Sequence, residues 1–106
     1  MTSSIKELNY SDLKEEWCQA STVVTLVYTP TCGTCQLAKR MLAVIQEMCQ
    51  SVIFEQINLN INEQLAIDFE ILSVPCLLIH KNSQCEAKIY NFESVPYLYE
   101  TINSYA

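Results

Sequence analysis

The chain has 106 residues, half of them hydrophobic, and its 12 acidic against 6 basic side chains leave a net charge of −6. That length fits one domain, 1–106, able to bury roughly two-thirds of the surface its unfolded chain exposes, while the acidic surplus disfavours nonspecific nucleic-acid binding and offers no basic patch for phosphates. No run approaches the ~20 apolar residues of a membrane span and the start MTSSIKELNYSDL lacks the apolar block of a secretion signal, so the expectation is a cytoplasmic protein, away from membranes, with proteins or small molecules as partners.

A short strand is expected over Ser4 to Leu8. Asn9 with Asp12 three residues later forms a capping arrangement, and Tyr10, Leu13, Trp17 and Ala20 then recur at helical spacing, which predicts a first helix over about 10–20. The run TVVTLVY, 22–28, is β-branched, aromatic and almost wholly apolar, as in a strand covered on both faces. A second helix begins near Thr34 and reaches about Gln50, with Gln36, Lys39, Arg40, Glu47 and Gln50 toward water and Leu37, Met41, Leu42, Val44, Ile45 and Met48 inside. Val52 to Asn58 reads as a strand, and Asn62 caps a short helix through Phe69. Cys76 to His80 and Cys85 to Tyr90 form an antiparallel hairpin whose turn falls on Asn82 or Ser83 in place of glycine. Ser94 then caps a last helix with Pro96 in its first turn and Val95, Leu98 and Ile102 as its buried stripe, completing an αβαβαββα order.

Six cysteines, at 18, 32, 35, 49, 76 and 85, raise the idea of a disulfide framework, but such frameworks belong to secreted chains with poor cores. Cys18, Cys49, Cys76 and Cys85 fall in apolar periodic segments, where a free thiol packs as a small hydrophobe. Cys32 and Cys35 stand apart, because CGTC lies where the apolar strand runs into a helix. Unsatisfied amides and the helix dipole at a helix start favour a thiolate on Cys32. One turn later Cys35 faces the same edge, so the first thiolate attacks a disulfide and the second resolves the mixed disulfide. Two other uses of the pair compete with this one. Zinc needs more ligands than one CxxC supplies, and the sole histidine, His80, ends a distant strand. A permanent Cys32–Cys35 disulfide would close too short a loop to stabilise much.

The chain resembles the thioredoxin family over most of its length. The resemblance rests on the strand leading into Cys32-Gly33-Thr34-Cys35, the helix after it, the tract Ile57-Asn58-Leu59-Asn60, and Ser73-Val74-Pro75 about forty residues beyond the thiols. It implies an α/β thioredoxin fold, a central mixed sheet of four to five strands flanked by helices. It also implies a monomeric protein-disulfide oxidoreductase acting on disulfide-containing proteins or small disulfides, with no bound cofactor. Electrons would come from an external NADPH-dependent flavoprotein, a thioredoxin reductase. Cys32 and Cys35 would react; Thr31, Gly33, Thr34, Val74 and Pro75 would form the substrate groove, with Pro75 in a cis peptide bond and the Val74 backbone pairing with the substrate. Read without the resemblance, Pro75 is a strand-start proline. Tyr28 has two readings, a wall of that groove or a partly buried ring closing the strand. Cys76, directly after Pro75, has two readings, a third thiol in the redox chemistry or a packed side chain. Strand alternation favours the second, since it should point away from the side that Val74 presents, into the core beneath the motif, where burial disfavours its thiolate.

Several positions depart from the family pattern. Thr31 and Thr34 replace the usual tryptophan and proline around CxxC, Arg40 replaces a helix-kinking proline, and Ser83 stands near a missing glycine. Leu26 and Gln56 replace a buried aspartate and its lysine partner, which removes a proton acceptor for Cys35 and predicts slower release of the mixed disulfide. That loss also favours an alternative of another class, a redox-responsive binding module that turns over poorly. A metal or iron-sulfur carrier sharing the thiols between two chains is a third reading.

Overall fold

The run Thr22–Tyr28 is buried at every position and is the central strand of a five-stranded sheet in the computed structural model, which describes residues 5–106. In chain order the elements are β1 (Lys6–Glu7), α1 (Tyr10–Gln19), β2 (Thr22–Tyr28), α2 (Gly33–Met48), β3 (Ile53–Asn58), a 3-10 turn (Leu59–Ile61), α3 (Glu63–Phe69), β4 (Cys76–Lys81), β5 (Gln84–Ile89) and α4 (Val95–Asn103). Ser4, the first residue of the expected opening strand, lies outside the described residues. The strand order is β1-β3-β2-β4-β5, with β3 parallel to both β1 and β2 and with β4 antiparallel to both β2 and β5.

Side chains alternate across a strand, so β2 supplies two cores at once. Val24, Leu26 and Tyr28 join Cys35, Ala38, Leu42 and Ile45 of α2 and Leu98 and Ile102 of α4. On the other face Val23 and Val27 join Leu13 and Trp17 of α1 and Leu65 of α3. Helices on both sides of a mixed sheet give the expected α/β thioredoxin fold. Among the described residues no helix is long and apolar enough to cross a membrane.

Local chemistry sets the element ends. The Asp12 amide donates to Asn9 Oδ1 at 2.8 Å and the Tyr97 amide to Ser94 Oγ at 3.2 Å, so both expected caps form. Asn62 stands at the start of α3 but makes no cap bond there; its Oδ1 accepts from the Tyr10 amide at 3.0 Å and so ties the start of α1 to that of α3. The hairpin turns on both of its candidate residues, since Asn82 and Ser83 have φ of 51° and 73°, as a two-residue turn between twisted strands requires. β5 starts one residue earlier than expected, because Gln84 already pairs with Lys81 directly after the turn, and the ladder shifts register further in, between Ile79 and His80.

The sequence overfilled the inner face of α2. Leu37, Val44 and Met48, expected inside, are each 52% exposed. A helix lying on a sheet buries only one narrow stripe, here Cys35, Ala38, Leu42 and Ile45, and the other three residues fall on its flank. Two cysteines also depart from the packing role. Cys18 is exposed on the outer side of α1 next to the buried Trp17, and Cys85 is exposed on the edge strand β5.

Candidate functional site

β2 ends at Tyr28, and the chain turns through Thr29, Pro30 and Thr31 before the Cys32 amide donates to the Thr29 carbonyl at 3.2 Å. Cys32 thereby becomes the extended N-cap of the 16-residue α2, and its Sγ occupies the place a serine or aspartate oxygen usually takes, accepting from the Cys35 amide at 3.2 Å. The Thr34 hydroxyl lies 3.3 Å from the same sulfur. The hydrogen bonds from the Cys35 and then the Thr34 side chains pull the Cys32 thiol below its ordinary pKa, the two backbone amides adding to the effect. The positive end of the α2 dipole acts in the same direction.

Cys35 has the opposite environment. It is fully buried in the layer under α2, and burial, followed by its hydrogen bond to Cys32, pushes its thiol up to about 11; a backbone hydrogen bond from Thr29 and, less strongly, the Lys39 cation pull the other way. The pair therefore combines a partly exposed thiol biased toward the charged form with a buried thiol biased toward the neutral one. All six cysteines are free.

The remaining expected site residues separate into two groups. Thr31, Gly33 and Thr34 are exposed around Cys32, and the Val74-Pro75 peptide bond is cis, as the resemblance implies. Thr34 and Pro75 line one open cavity of about 270 Å³ with Leu37, Met41, Tyr90 and Phe92. Tyr28 lies beneath the surface, 7% exposed, so of its two readings the structure gives the buried ring closing the strand. Its hydroxyl donates to the Glu7 carboxylate at 2.7 and 2.9 Å, and the Lys39 ammonium sits 3.6 Å above its ring.

Sequence reasoning missed the surroundings of the thiols. Lys39 was placed toward water, although its position one helical turn after Cys35 was a readable signal of proximity. Glu7 carries no such signal, because it reaches Tyr28 only when β1 pairs on the far side of β3. Phe92 comes to the cavity through the return of the chain after β5, which no local pattern announces.

Cys76 is fully buried, as expected, but it lies in the layer of α1 and α3, on the face of the sheet away from Cys35. Burial pushes its thiol up to about 11. His80 is buried in that same layer, stacked on Trp17 at 3.7 Å. Among the described residues no group of three His, Cys, Asp or Glu side chains is placed to hold a metal ion. Leu26 is fully buried, and Gln56 donates through Nε2 to the Ile5 carbonyl at 2.9 Å.

The sequence profile of the family described as Thioredoxin matches residues 4–104. The chain is 49% identical over 76 residues to the thioredoxin-like protein YusE of Bacillus subtilis strain 168, an alignment covering 72% of each chain. Its structure is similar to a mutant thioredoxin from Halobacterium salinarum, with a TM-score of 0.88 and 18% identity over 96% of this chain and 90% of that one. It is also similar to oxidised mitochondrial thioredoxin 3 of Saccharomyces cerevisiae, with a TM-score of 0.85 and 21% identity over 94% of each chain. At such identities the two structures speak for the fold.

Proposed function

The chain belongs to the thioredoxin family, and we propose that it works as a protein thiol-disulfide oxidoreductase with Cys32 as nucleophile and Cys35 as resolving thiol. The observation that carries this reading is the Cys32 sulfur at the N-cap of α2, held by the Cys35 amide and pulled below its ordinary pKa beside a buried second thiol. The Cys32 thiolate attacks a partner disulfide; one partner sulfur leaves and takes up a proton, and a mixed disulfide forms. Cys35 then gives up its proton and attacks Cys32 Sγ, and the second partner sulfur leaves and is protonated. Two electrons have passed to the partner, and a Cys32–Cys35 disulfide remains.

Thr31, Gly33, Thr34, Val74 and Pro75 form the docking surface in this reading, which the exposure of the first three and the cavity between Thr34 and Pro75 support. The partners are disulfide-containing proteins or small disulfides. An NADPH-dependent flavoprotein reductase restores the dithiol, and the cytoplasm is the proposed compartment, since reduced thiols persist there.

The test is equilibration of the dithiol against a graded glutathione series, with insulin reduction by dithiothreitol run alongside. A reversible two-electron couple with catalysed insulin reduction is expected, and Cys32→Ser should abolish both. Cys35→Ser should trap partners as mixed disulfides on Cys32. A reversible couple without turnover would favour a redox-responsive binding module, the reading that the neutral Leu26 and Gln56 support. Absence of a reversible couple would defeat the oxidoreductase reading.

A further inference from the structure

The resolving step demands a thiolate where the structure disfavours one. Cys35 is fully buried among Leu26, Ala38, Leu42, Leu77 and Phe92, and the strand positions beneath it offer no ionisable side chain, Leu26 being apolar and Gln56 neutral. The charges acting on it are few. On its own helix they are the Cys32 thiol and the Lys39 ammonium. From β2 and β1 come Tyr28 and Glu7, which meet Lys39 rather than Cys35.

Lys39 follows Cys35 by one helical turn, so the two side chains leave the same side of α2. A lysine there would ordinarily extend into water and be screened. Instead its ammonium is seated 3.6 Å above the Tyr28 ring, and that ring is fixed by its place in the core and by a two-oxygen hydrogen bond from its hydroxyl to Glu7. A hydroxyl that donates to a carboxylate also makes the ring richer in electrons, which strengthens its hold on a cation.

We propose that Lys39, seated on the Tyr28 ring by the Glu7–Tyr28 hydrogen bond, is a positioning residue that stabilises the Cys35 thiolate during resolution of the mixed disulfide. The inference rests on the oxidoreductase reading above. The step is Cys32–S–S–R plus Cys35–SH giving Cys32–S–S–Cys35 plus R–SH: the bond between Cys32 and the partner breaks, the intramolecular disulfide forms, and the proton lost by Cys35 ends on the departing sulfur. Lys39 neither gives nor takes that proton. It lowers the cost of the charge that Cys35 carries in between, adding to the stronger pull of the Thr29 backbone hydrogen bond, and acts on the Cys35 thiol in the direction this role requires.

The test reads resolution separately from the first attack. Ellman's disulfide, mixed rapidly with reduced protein in which Cys18 and Cys85 are serine, releases one thionitrobenzoate when Cys32 attacks and a second when Cys35 resolves. Lys39→Met should slow the second release about tenfold at neutral pH and move its pH midpoint upward by about one unit, with the first release little changed. Lys39→Arg should restore the rate and the midpoint. Lys14→Met makes the same change in net charge on α1, where Lys14 lies over the Tyr10 ring, and should leave both phases unaltered. Tyr28→Leu, which removes the seat but keeps the cation, should fall between wild type and Lys39→Met. A Lys39→Met second phase with the wild-type rate and midpoint would overturn the inference, as would a Lys39→Arg variant as slow as Lys39→Met. A wild-type protein with no second phase would instead overturn the oxidoreductase reading itself.

Discussion

Each face of the sheet carries a lysine ammonium over a tyrosine ring whose hydroxyl donates to a carboxylate. On the thiol face these are Lys39, Tyr28 and Glu7, at 3.6 Å from ammonium to ring and 2.7 Å from hydroxyl to oxygen. On the opposite face they are Lys14, Tyr10 and Asp68, at 4.4 and 2.7 Å. Burial and the neighbouring carboxylate push both phenols up to about 12. The chemistry is the same, but what lies under it differs. The Tyr10 hydroxyl fastens α1 to the exposed Asp68 of α3, which Gln64 also holds at 2.8 Å. Tyr28 is a core ring, and its cation reaches a buried thiol. A cation over an aromatic ring is a local device worth about 0.5–2 kcal/mol; its use depends on which group shares its field.

The largest effect separating the faces should come from the polar groups buried behind α1. Glu55 is 3% exposed, and burial, then the nearby Glu16 charge, pushes its carboxyl up to about 7. His80 is also 3% exposed, and burial pulls its imidazole down to about 4. The folded state holds the Glu55 proton more tightly than the unfolded state, so stability from this group is full below the unfolded pKa and is lost as pH rises through about 7. The folded state resists protonating His80, so its contribution is full above the unfolded pKa of 6.5 and is lost as pH falls through about 4. Between these limits the two slopes oppose one another and flatten the profile. Glu55→Gln should therefore make stability rise between about pH 4.5 and 6.5, and His80→Phe should make it fall over about pH 4.5 to 7, each by on the order of 2–3 kcal/mol at most. Urea denaturation at a series of pH values reads both, and parallel profiles for wild type and Glu55→Gln would contradict the buried-carboxyl account.

A smaller effect tests the two tyrosines directly. Tyr28→Phe deletes a partly buried hydrogen bond to a carboxylate and should cost about 1–2 kcal/mol. Tyr10→Phe deletes an exposed one and should cost less than about 1 kcal/mol. Equal losses in urea midpoints would erase the difference between the faces.

The smallest effect concerns the two buried thiols nearest the site. Cys35 and Cys76 are both fully buried, with thiols pushed up to about 11, but Cys35 hydrogen-bonds to Cys32 while Cys76 faces the other side of the sheet. Cys76→Ala should leave the glutathione equilibrium of the dithiol unchanged and cost about 1 kcal/mol of stability through the small void it leaves. A shifted equilibrium would bring Cys76 into the redox chemistry. Brief iodoacetamide treatment of the native protein should spare Cys35, Cys49 and Cys76 and label Cys32, as peptide mass mapping would show.

Much of this protein was legible in its sequence because the signals were local. The apolar run 22–28, the caps at Asn9 and Ser94, the Asn82-Ser83 turn and the helix start at Cys32 each depend on neighbours within a few residues, and each formed. The placement of Cys32 at a helix N-terminus follows from the same local rules, so its bias toward the thiolate was readable, while the burial of Cys35 was not. Tertiary packing decided what local pattern leaves undetermined. Helical spacing names the apolar residues of α2 but not how wide a stripe the sheet covers, so Leu37, Val44 and Met48 ended outside. Strand alternation showed that Cys76 turns inward, yet which core received it was fixed by β2 lying between β3 and β4. The seat of Lys39 needed most from the fold: a helix turn, a central strand and an edge strand 21 residues before Tyr28 had to meet across β3 before one cation came to rest above one ring, within reach of one buried thiol.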